Sequence, residues 1–415
     1  MLRRLPSGIR LAPPWPIQLL NKAGPLVKAL GLWPRLEPNK MIVAAERQCK
    51  LSKWPEAHLR ALPVRANAFN NDAKLSLFGA LAVKDQFMRG LTNSLRFENF
   101  VEEHPEIRDE KITRPLFVLG LPRTGTTLLQ RLLCMHDGAR YLPFWEGYAP
   151  LPKVLGEGKD GSDGRIEGAR RALSLMKWLS PEMDKIHPLD VEDPEECYLI
   201  FRTYVLMPPG FDFSYLPSYW KWFSAQDHLD AYRLHKQQLQ TYQWLNRREQ
   251  WVLKCPNHLS GLQHLLKVYP DARIVYTHRD PLKVVPSLCS LAAVAWSMIS
   301  DDVDLDEVVE FAMSMTQRCQ EAGQAALKTV PRDQIIHVEF DELVSDPVAT
   351  ALSIYDRFGY RRDPELKTKA SKWLQENKSD KHGAHTYALS DFGLTEEDVR
   401  RRLKGAELVT APAAE

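Results

Sequence analysis

Apolar residues recur three and four positions apart from Asn39 to His104, most clearly through Phe78, Leu81, Ala82, Phe87, Met88 and Leu91. That spacing gathers them on one face of a helix. Downstream the pattern changes. Four runs, Pro115–Leu119, Trp251–Lys254, Ala272–Thr277 and Gln334–Phe340, are rich in Val, Ile, Leu or Phe and almost continuously apolar. A strand with one wet face alternates, whereas a strand covered on both faces does not, so these runs predict a buried parallel sheet. Helical patterns fill the gaps at Thr126–His136, His258–Val268, Pro281–Ile299, Leu305–Lys328 and Val348–Phe358. Strands alternating with helices predict a doubly wound α/β fold.

The pattern divides the chain into an N-terminal arm and helical extension (1–110), a main domain (111–405) and a short flexible tail (406–415). Within the main domain, a mostly helical insertion spans about 150–250. It opens near a glycine-rich loop, Gly156 to Gly164, and carries an aromatic run from Phe211 to Phe223. Aromatics at that density either pack a core or wall an acceptor pocket, and composition leaves both open. At 415 residues the chain can bury a large core. A formal net charge of +2 gives no general case for nucleic-acid binding, so any phosphate-binding cations must be local. The six dispersed cysteines lack a Cys-x-x-Cys pair and read as reduced thiols of a cytoplasmic protein. No stretch approaches the ~18 apolar residues of a membrane span. The basic N-terminus does not read as a signal peptide, because Pro13, Pro14, Pro16, Lys22 and Pro25 interrupt the apolar stretch after it. The basic, apolar segment from Pro16 to Trp33 suits either a membrane surface or packing against the domain or a second copy in a homodimer. Its short apolar runs favour packing.

The densest chemistry comes directly after the first strand, in Gly120-Leu121-Pro122-Arg123-Thr124-Gly125-Thr126-Thr127. A strand breaking into a glycine-bounded loop that opens a helix is a phosphate cradle, because loop and helix N–H groups converge on an anion. Gly120 and Gly125 have phosphate-loop spacing, yet the usual Lys-Ser/Thr is replaced by Thr126-Thr127 and the cation moves inside the loop as Arg123. A nucleotide triphosphatase needs that lysine on the β/γ-phosphates and a hydroxyl on Mg²⁺. An arginine within the loop suits an anion handled without metal.

Pro-Arg-Thr-Gly-Thr-Thr resembles the 5′-phosphosulfate loop of sulfotransferases that use 3′-phosphoadenosine 5′-phosphosulfate, and two further segments occur in that family's order. Arg279 ends a strand, Asp280-Pro281 reads as a helix N-cap and first turn, and Arg279 and Ser287 keep the family's eight-residue spacing for holding the 3′-phosphate. Lys381 and Gly383, in a polar loop from Asn377 to Tyr387, match the loop that closes over it. The resemblance implies a metal-free sulfuryl transfer from that co-substrate to a hydroxyl or amine of a small-molecule, lipid or carbohydrate acceptor. Arg123, Thr124, Gly125, Thr126 and Thr127 would bind the phosphosulfate, with Lys254 a second cation beside Arg123. Two departures stand out: Phe340 replaces the family's tyrosine, and Leu128 occupies the place of an adenine-stacking tryptophan.

For the general base the resemblance offers two residues. Glu146 lies beyond the loop helix where carboxylate-using members carry a glutamate. His258 is the rival, although Cys255-Pro256-Asn257 puts it four residues beyond Lys254 rather than two, so Glu146 is favoured. A phosphate-loop kinase would need the missing lysine and an acidic strand end on Mg²⁺. A non-catalytic nucleotide-binding relative has no need of Arg123, Arg279 and Ser287 together. His278-Arg279-Asp280 and Asp391-Phe392-Gly393 imitate kinase motifs without the accompanying glycine loop.

Overall fold

The computed structural model describes residues 4–152, 163–203, 213–361, 363–377 and 387–403. Five parallel strands, β1 (Leu116–Gly120), β2 (Ala139–Arg140), β3 (Gln250–Lys254), β4 (Arg273–His278) and β5 (Ile335–Glu339), form one sheet in the order β2-β3-β1-β4-β5. The four apolar runs coincide with β1, β3, β4 and β5 to within one residue. The two-residue β2 has no run to announce it. Strand order departs from β1 in both directions, which makes the carboxyl end of β1 the topological switch point where open α/β sheets take ligands.

Helices precede, interrupt and cover the sheet. Before it come α1 (Trp15–Lys22), α2 (Gly24–Ala29), α3 (Pro38–Cys49), α4 (Glu56–Asn71) and α5 (Leu77–Glu103). The loop helix α6 (Thr126–Leu133) links β1 to β2. Between β2 and β3 lie α7 (Phe144–Tyr148), α8 (Gly164–Leu179), α9 (Pro181–Ile186), α10 (Tyr198–Thr203), α11 (Pro217–Ser224) and α12 (Leu229–Leu245). The remaining helices are α13 (Leu262–Val268), α14 (Pro281–Ser297), α15 (Leu305–Leu327), α16 (Phe340–Ser345), α17 (Pro347–Phe358), α18 (Leu366–Glu376) and α19 (Glu396–Arg402). The helix expected from His258 begins instead as a 3₁₀ turn, Pro256–Leu259, before α13. The N-cap at Asp280 forms as expected, its carboxylate accepting from Leu282 N–H at 2.9 Å.

Alternation along the strands sorts side chains to two apolar layers. Leu116 and Val118 meet Leu129, Leu133, Ile354 and Phe358 of α6 and α17. Phe117 and Leu119 belong to the larger layer, which runs without a break into Phe87 and Leu91 of α5 and Val285 and Trp296 of α14. The N-terminal helices therefore share the main domain's core. All six cysteines are free thiols, and no described helix is long and apolar enough to cross a membrane.

Candidate active site

The loop after β1 is built by close approach. At Gly120 (φ +158°) an added Cβ would stand 2.1 Å from Thr277 Oγ1 on the neighbouring β4, so only glycine fits. Gly125 has φ +83°, and a Cβ there would lie 2.7 Å from Leu343 Cδ2. Arg123 adopts φ +71°, a left-handed conformation that costs a non-glycine residue roughly 1–2 kcal/mol and persists only where its surroundings hold it. Thr124 is part of that hold: its hydroxyl donates to the Leu121 carbonyl at 2.7 Å and sits 2.6 Å from Thr277 Oγ1. The Thr124 side chain thus braces the loop, leaving its backbone N–H for a ligand. No side chain caps the N-terminus of α6, so its first N–H groups remain available to an anion.

Three cations converge from the carboxyl ends of three adjacent strands. Arg123 donates from Nε to Ser287 Oγ at 3.0 Å and from a terminal nitrogen to the Ile186 carbonyl at 3.2 Å. Arg279 donates to the Arg123 carbonyl at 2.7 Å, and its guanidinium carbon lies 3.9 Å from the centre of the Phe340 ring. The phenylalanine that replaces the family's tyrosine is therefore the platform on which Arg279 rests. Burial pushes the Arg123 pKa down, and the charge of Arg279 adds to this. A bound anion would relieve the cost of holding these charges together. Lys254, at the end of β3, is 1% exposed and donates to Thr127 Oγ1 at 3.2 Å and to Glu196 Oε1 at 2.5 Å. Sequence spacing separates a 5′ set around Arg123 from a 3′ pair, Arg279 and Ser287; in the fold Arg123 touches both members of that pair.

An acidic pair from the insertion completes the cluster. Gln130 of α6 donates to the Glu195 carbonyl at 3.3 Å and Glu195 N–H donates to the Leu142 carbonyl at 2.8 Å, which brings Glu195 and Glu196 to the sheet edge. Glu196 Oε2 is buried without a hydrogen-bond partner among the described residues. Donor atoms of His187, Glu195 and Glu196 lie within 4.8 Å of one another. Burial pushes His187 down to about 3, helped by Lys254 and Arg123, so its imidazole is neutral. Burial pushes Glu195 up to about 7, with Lys254 opposing and Glu196 adding to the rise. A carboxyl that ionises near 4.5 when unfolded but near 7 when folded adds stability that is complete below about pH 4.5 and lost as pH rises through about 7. Glu195→Gln is expected to flatten the fall in urea midpoint between pH 5 and 8, a slope worth on the order of 2–3 kcal/mol. An unchanged slope in the variant would assign it elsewhere.

The two residues expected to supply the base each have buried partners of their own. Both oxygens of Glu146 accept from one nitrogen of Arg140, at 2.8 and 2.7 Å, in a pair buried on both sides. Arg140 is held in turn by the carbonyls of Asn246 and Tyr242 and by the Trp251 ring. No described contact joins Glu146 to Arg123, Thr127 or Lys254. His258 is 0% exposed, hydrogen-bonds Tyr232 Oη through Nδ1 at 3.0 Å, and packs among Phe117, Phe201 and His235. The 3₁₀ turn made by Pro256 carries it against Phe117 of β1 instead of out of the strand end, and burial drives its pKa well down. Cys197, His235 and His258 bring donor atoms within 4.8 Å of one another inside that aromatic cluster. Lys381 and Gly383 lie outside the described residues; Tyr387, four residues beyond Gly383, lies near Arg123. Of the aromatic run, Tyr219 is wholly buried, while Trp220 and Phe223 line a cavity of about 260 Å³ with His228, Asn257 and Met315. None of Arg123, Thr127, Lys254 and Glu196 lines it.

A cluster of cations at the switch point of a parallel sheet, with a phosphate loop lacking the triphosphatase lysine, defines a group-transfer enzyme for an anionic donor. The sulfotransferase family model matches residues 115–364, and the chain belongs to that family. Its fold resembles the crystal structure of the sulfotransferase STF1 from Mycobacterium tuberculosis H37Rv, at 28% identity and a TM-score of 0.78 over 90% of this chain and 100% of that one. The sulfotransferase STF9 from Mycobacterium avium is similar at 26% identity and a TM-score of 0.77, over 88% and 95% of the two chains. The omega-hydroxy-beta-dihydromenaquinone-9 sulfotransferase Stf3 of Mycobacterium bovis is 23% identical over 264 residues, 59% of this chain and 62% of that protein. That match spans less than two thirds of the relative's length.

Proposed function

We propose that the protein transfers a sulfuryl group from 3′-phosphoadenosine 5′-phosphosulfate to a hydroxyl group of a lipid-like acceptor. The observation that carries this reading is the chain of contacts Arg279–Arg123–Ser287 beside Thr127–Lys254–Glu196. It offers cationic groups for two phosphates, with a buried carboxylate on Lys254 beside the 5′ set. Loop N–H groups, Thr126 and Thr127 take the 5′-phosphate, and Arg279 with Ser287 takes the 3′-phosphate. Glu196 Oε2 receives the acceptor's hydroxyl proton as the acceptor oxygen bonds to sulfur. The bond from sulfur to the bridging oxygen breaks, and 3′-phosphoadenosine 5′-phosphate leaves with the added charge. Arg123 and Lys254 stabilise that charge as it develops, the kind of preorganised electrostatics that supplies much of such a barrier reduction. The hydroxyl-bearing prenyl quinone in the name of the mycobacterial relative supports the choice of acceptor class.

The test is product analysis by mass spectrometry after incubation with the donor and a panel of hydroxylated prenyl quinones, sterols, sugars and aryl amines, with EDTA present. Sulfation of a lipid alcohol, undiminished by EDTA, is expected, because Arg123 and Lys254 supply the charge a metal supplies in phosphoryl transfer. Activity lost to EDTA and restored by Mg²⁺, or phosphoryl transfer from ATP, would replace this reading with the kinase one.

A further inference from the structure

Around α1 and α2 the arm turns large apolar side chains outward. Six of the twelve large hydrophobic side chains exposed among the described residues fall within Trp15 to Leu32: Trp15, Leu19, Leu20, Leu26, Leu30 and Leu32. Trp15, Leu26, Leu30 and Leu32 are 62–73% exposed. The arm meets the protein through Leu5, Ile9, Leu11 and Leu36, which are buried in its core, through Ile17 of α1, and through polar contacts. Asn21 is buried, donating to Asp301 Oδ1 at 2.8 Å and accepting from Phe78 N–H at 3.0 Å, and Gly24 lies against Leu77. Trp15, Leu19 and Lys22 form one stripe of α1, and Leu26 and Leu30 stand one turn apart at α2. Folding has therefore not consumed these six side chains, and a group of exposed large apolar residues marks an interaction site.

The charges on the arm share one sign. Residues 1–36 contain six cations, Arg3, Arg4, Arg10, Lys22, Lys28 and Arg35, and no Asp or Glu. Arg4, Arg10, Lys22, Lys28 and Arg35 are exposed, and the acidic group that α1 engages is Asp301, through Asn21. Exposed leucines and a tryptophan, bordered by lysine and arginine, have the composition of a helix that lies in a headgroup layer. A second copy of the chain would bring six cations against six, whereas an anionic lipid surface neutralises them.

We propose that α1 and α2 are a docking surface for an anionic lipid bilayer, with Trp15, Leu19, Leu26, Leu30 and Leu32 entering the headgroup layer and Lys22, Lys28 and Arg35 on its phosphates. This face does not depend on the acceptor's identity, but it sets the enzyme where a lipid alcohol is concentrated. The test is sedimentation of the full chain with vesicles of phosphatidylglycerol and phosphatidylcholine, compared with phosphatidylcholine alone. Binding is expected to be more than about tenfold stronger with phosphatidylglycerol and to fall with salt. Leu26→Asp/Leu30→Asp/Leu32→Asp, at exposed positions, should abolish binding without altering the melting temperature or the affinity for 3′-phosphoadenosine 5′-phosphate. Failure of the wild-type protein to bind phosphatidylglycerol vesicles would overturn the proposal. So would a wild-type dimer in solution that the same three substitutions make monomeric, since the occupant would then be a second copy.

Discussion

Glu196→Gln should lower turnover by roughly 10²–10⁴, the usual worth of a positioned general base, while affinity for 3′-phosphoadenosine 5′-phosphate stays within a few fold. Glutamine is the informative substitution because two roles are open to Glu196. Its Oε1 accepts from Lys254 at 2.5 Å, a contact that only positions the lysine, and its Oε2 is free to take a proton. The glutamine oxygen still accepts from Lys254, so a purely positioning residue would survive the change with most of its turnover. A base would not. The pH profile separates the roles further: loss of a base removes the acidic limb of kcat/KM, whereas a shifted lysine lowers the profile at every pH.

Glu146→Gln should behave in the opposite way. It breaks a buried ion pair whose cation, Arg140, also accounts for the carbonyls of Asn246 and Tyr242. Leaving that guanidinium uncompensated can cost up to about 3–5 kcal/mol of stability. The melting temperature should fall while turnover per folded molecule holds. If Glu146→Gln instead abolishes turnover in a protein of wild-type stability, and Glu196→Gln does not, the base is Glu146.

The fold was legible because burial on both faces leaves its mark on consecutive residues. Leu116 to Leu119 must all be apolar, since Leu116 and Val118 belong to the layer with α6 and α17 while Phe117 and Leu119 belong to the larger one, Phe117 packing on His235, His258 and Tyr269. The two-residue β2 makes too few such contacts to leave a run. The phosphate loop was legible because the positive-φ conformations of Gly120 and Gly125 are a local demand for glycine at a fixed spacing, to which the close approach of Thr277 and Leu343 adds. Glu196 was not legible. It reaches Lys254 across 58 residues, and Asp193-Pro194-Glu195-Glu196 reads along the chain as an ordinary acidic turn. The register of a 3₁₀ turn was equally hidden, and one turn decides whether His258 leaves the strand end or packs on Phe117. The cue present in the sequence was Pro256, which ends β3 and starts that turn.

Arg279→Ala is expected to weaken 3′-phosphoadenosine 5′-phosphate by roughly 10–150-fold, the worth of about 1.5–3 kcal/mol for a charge-assisted hydrogen bond, and 5′-AMP by much less. The structure adds a second consequence. Arg279 also holds the carbonyl of Arg123, a residue kept at φ +71° by its neighbours. Part of the loss must then fall on the 5′ site and appear with 5′-AMP. Arg279→Lys distinguishes the two contributions, because lysine keeps the charge but gives up the flat guanidinium that rests on Phe340. If the 3′-phosphate is the main partner of Arg279, lysine should recover a large share of the discrimination between the two nucleotides. If Arg279 serves mainly to brace the loop, both variants should weaken both nucleotides by the same factor in calorimetric titration, and the 3′-phosphate would have to be held by another group.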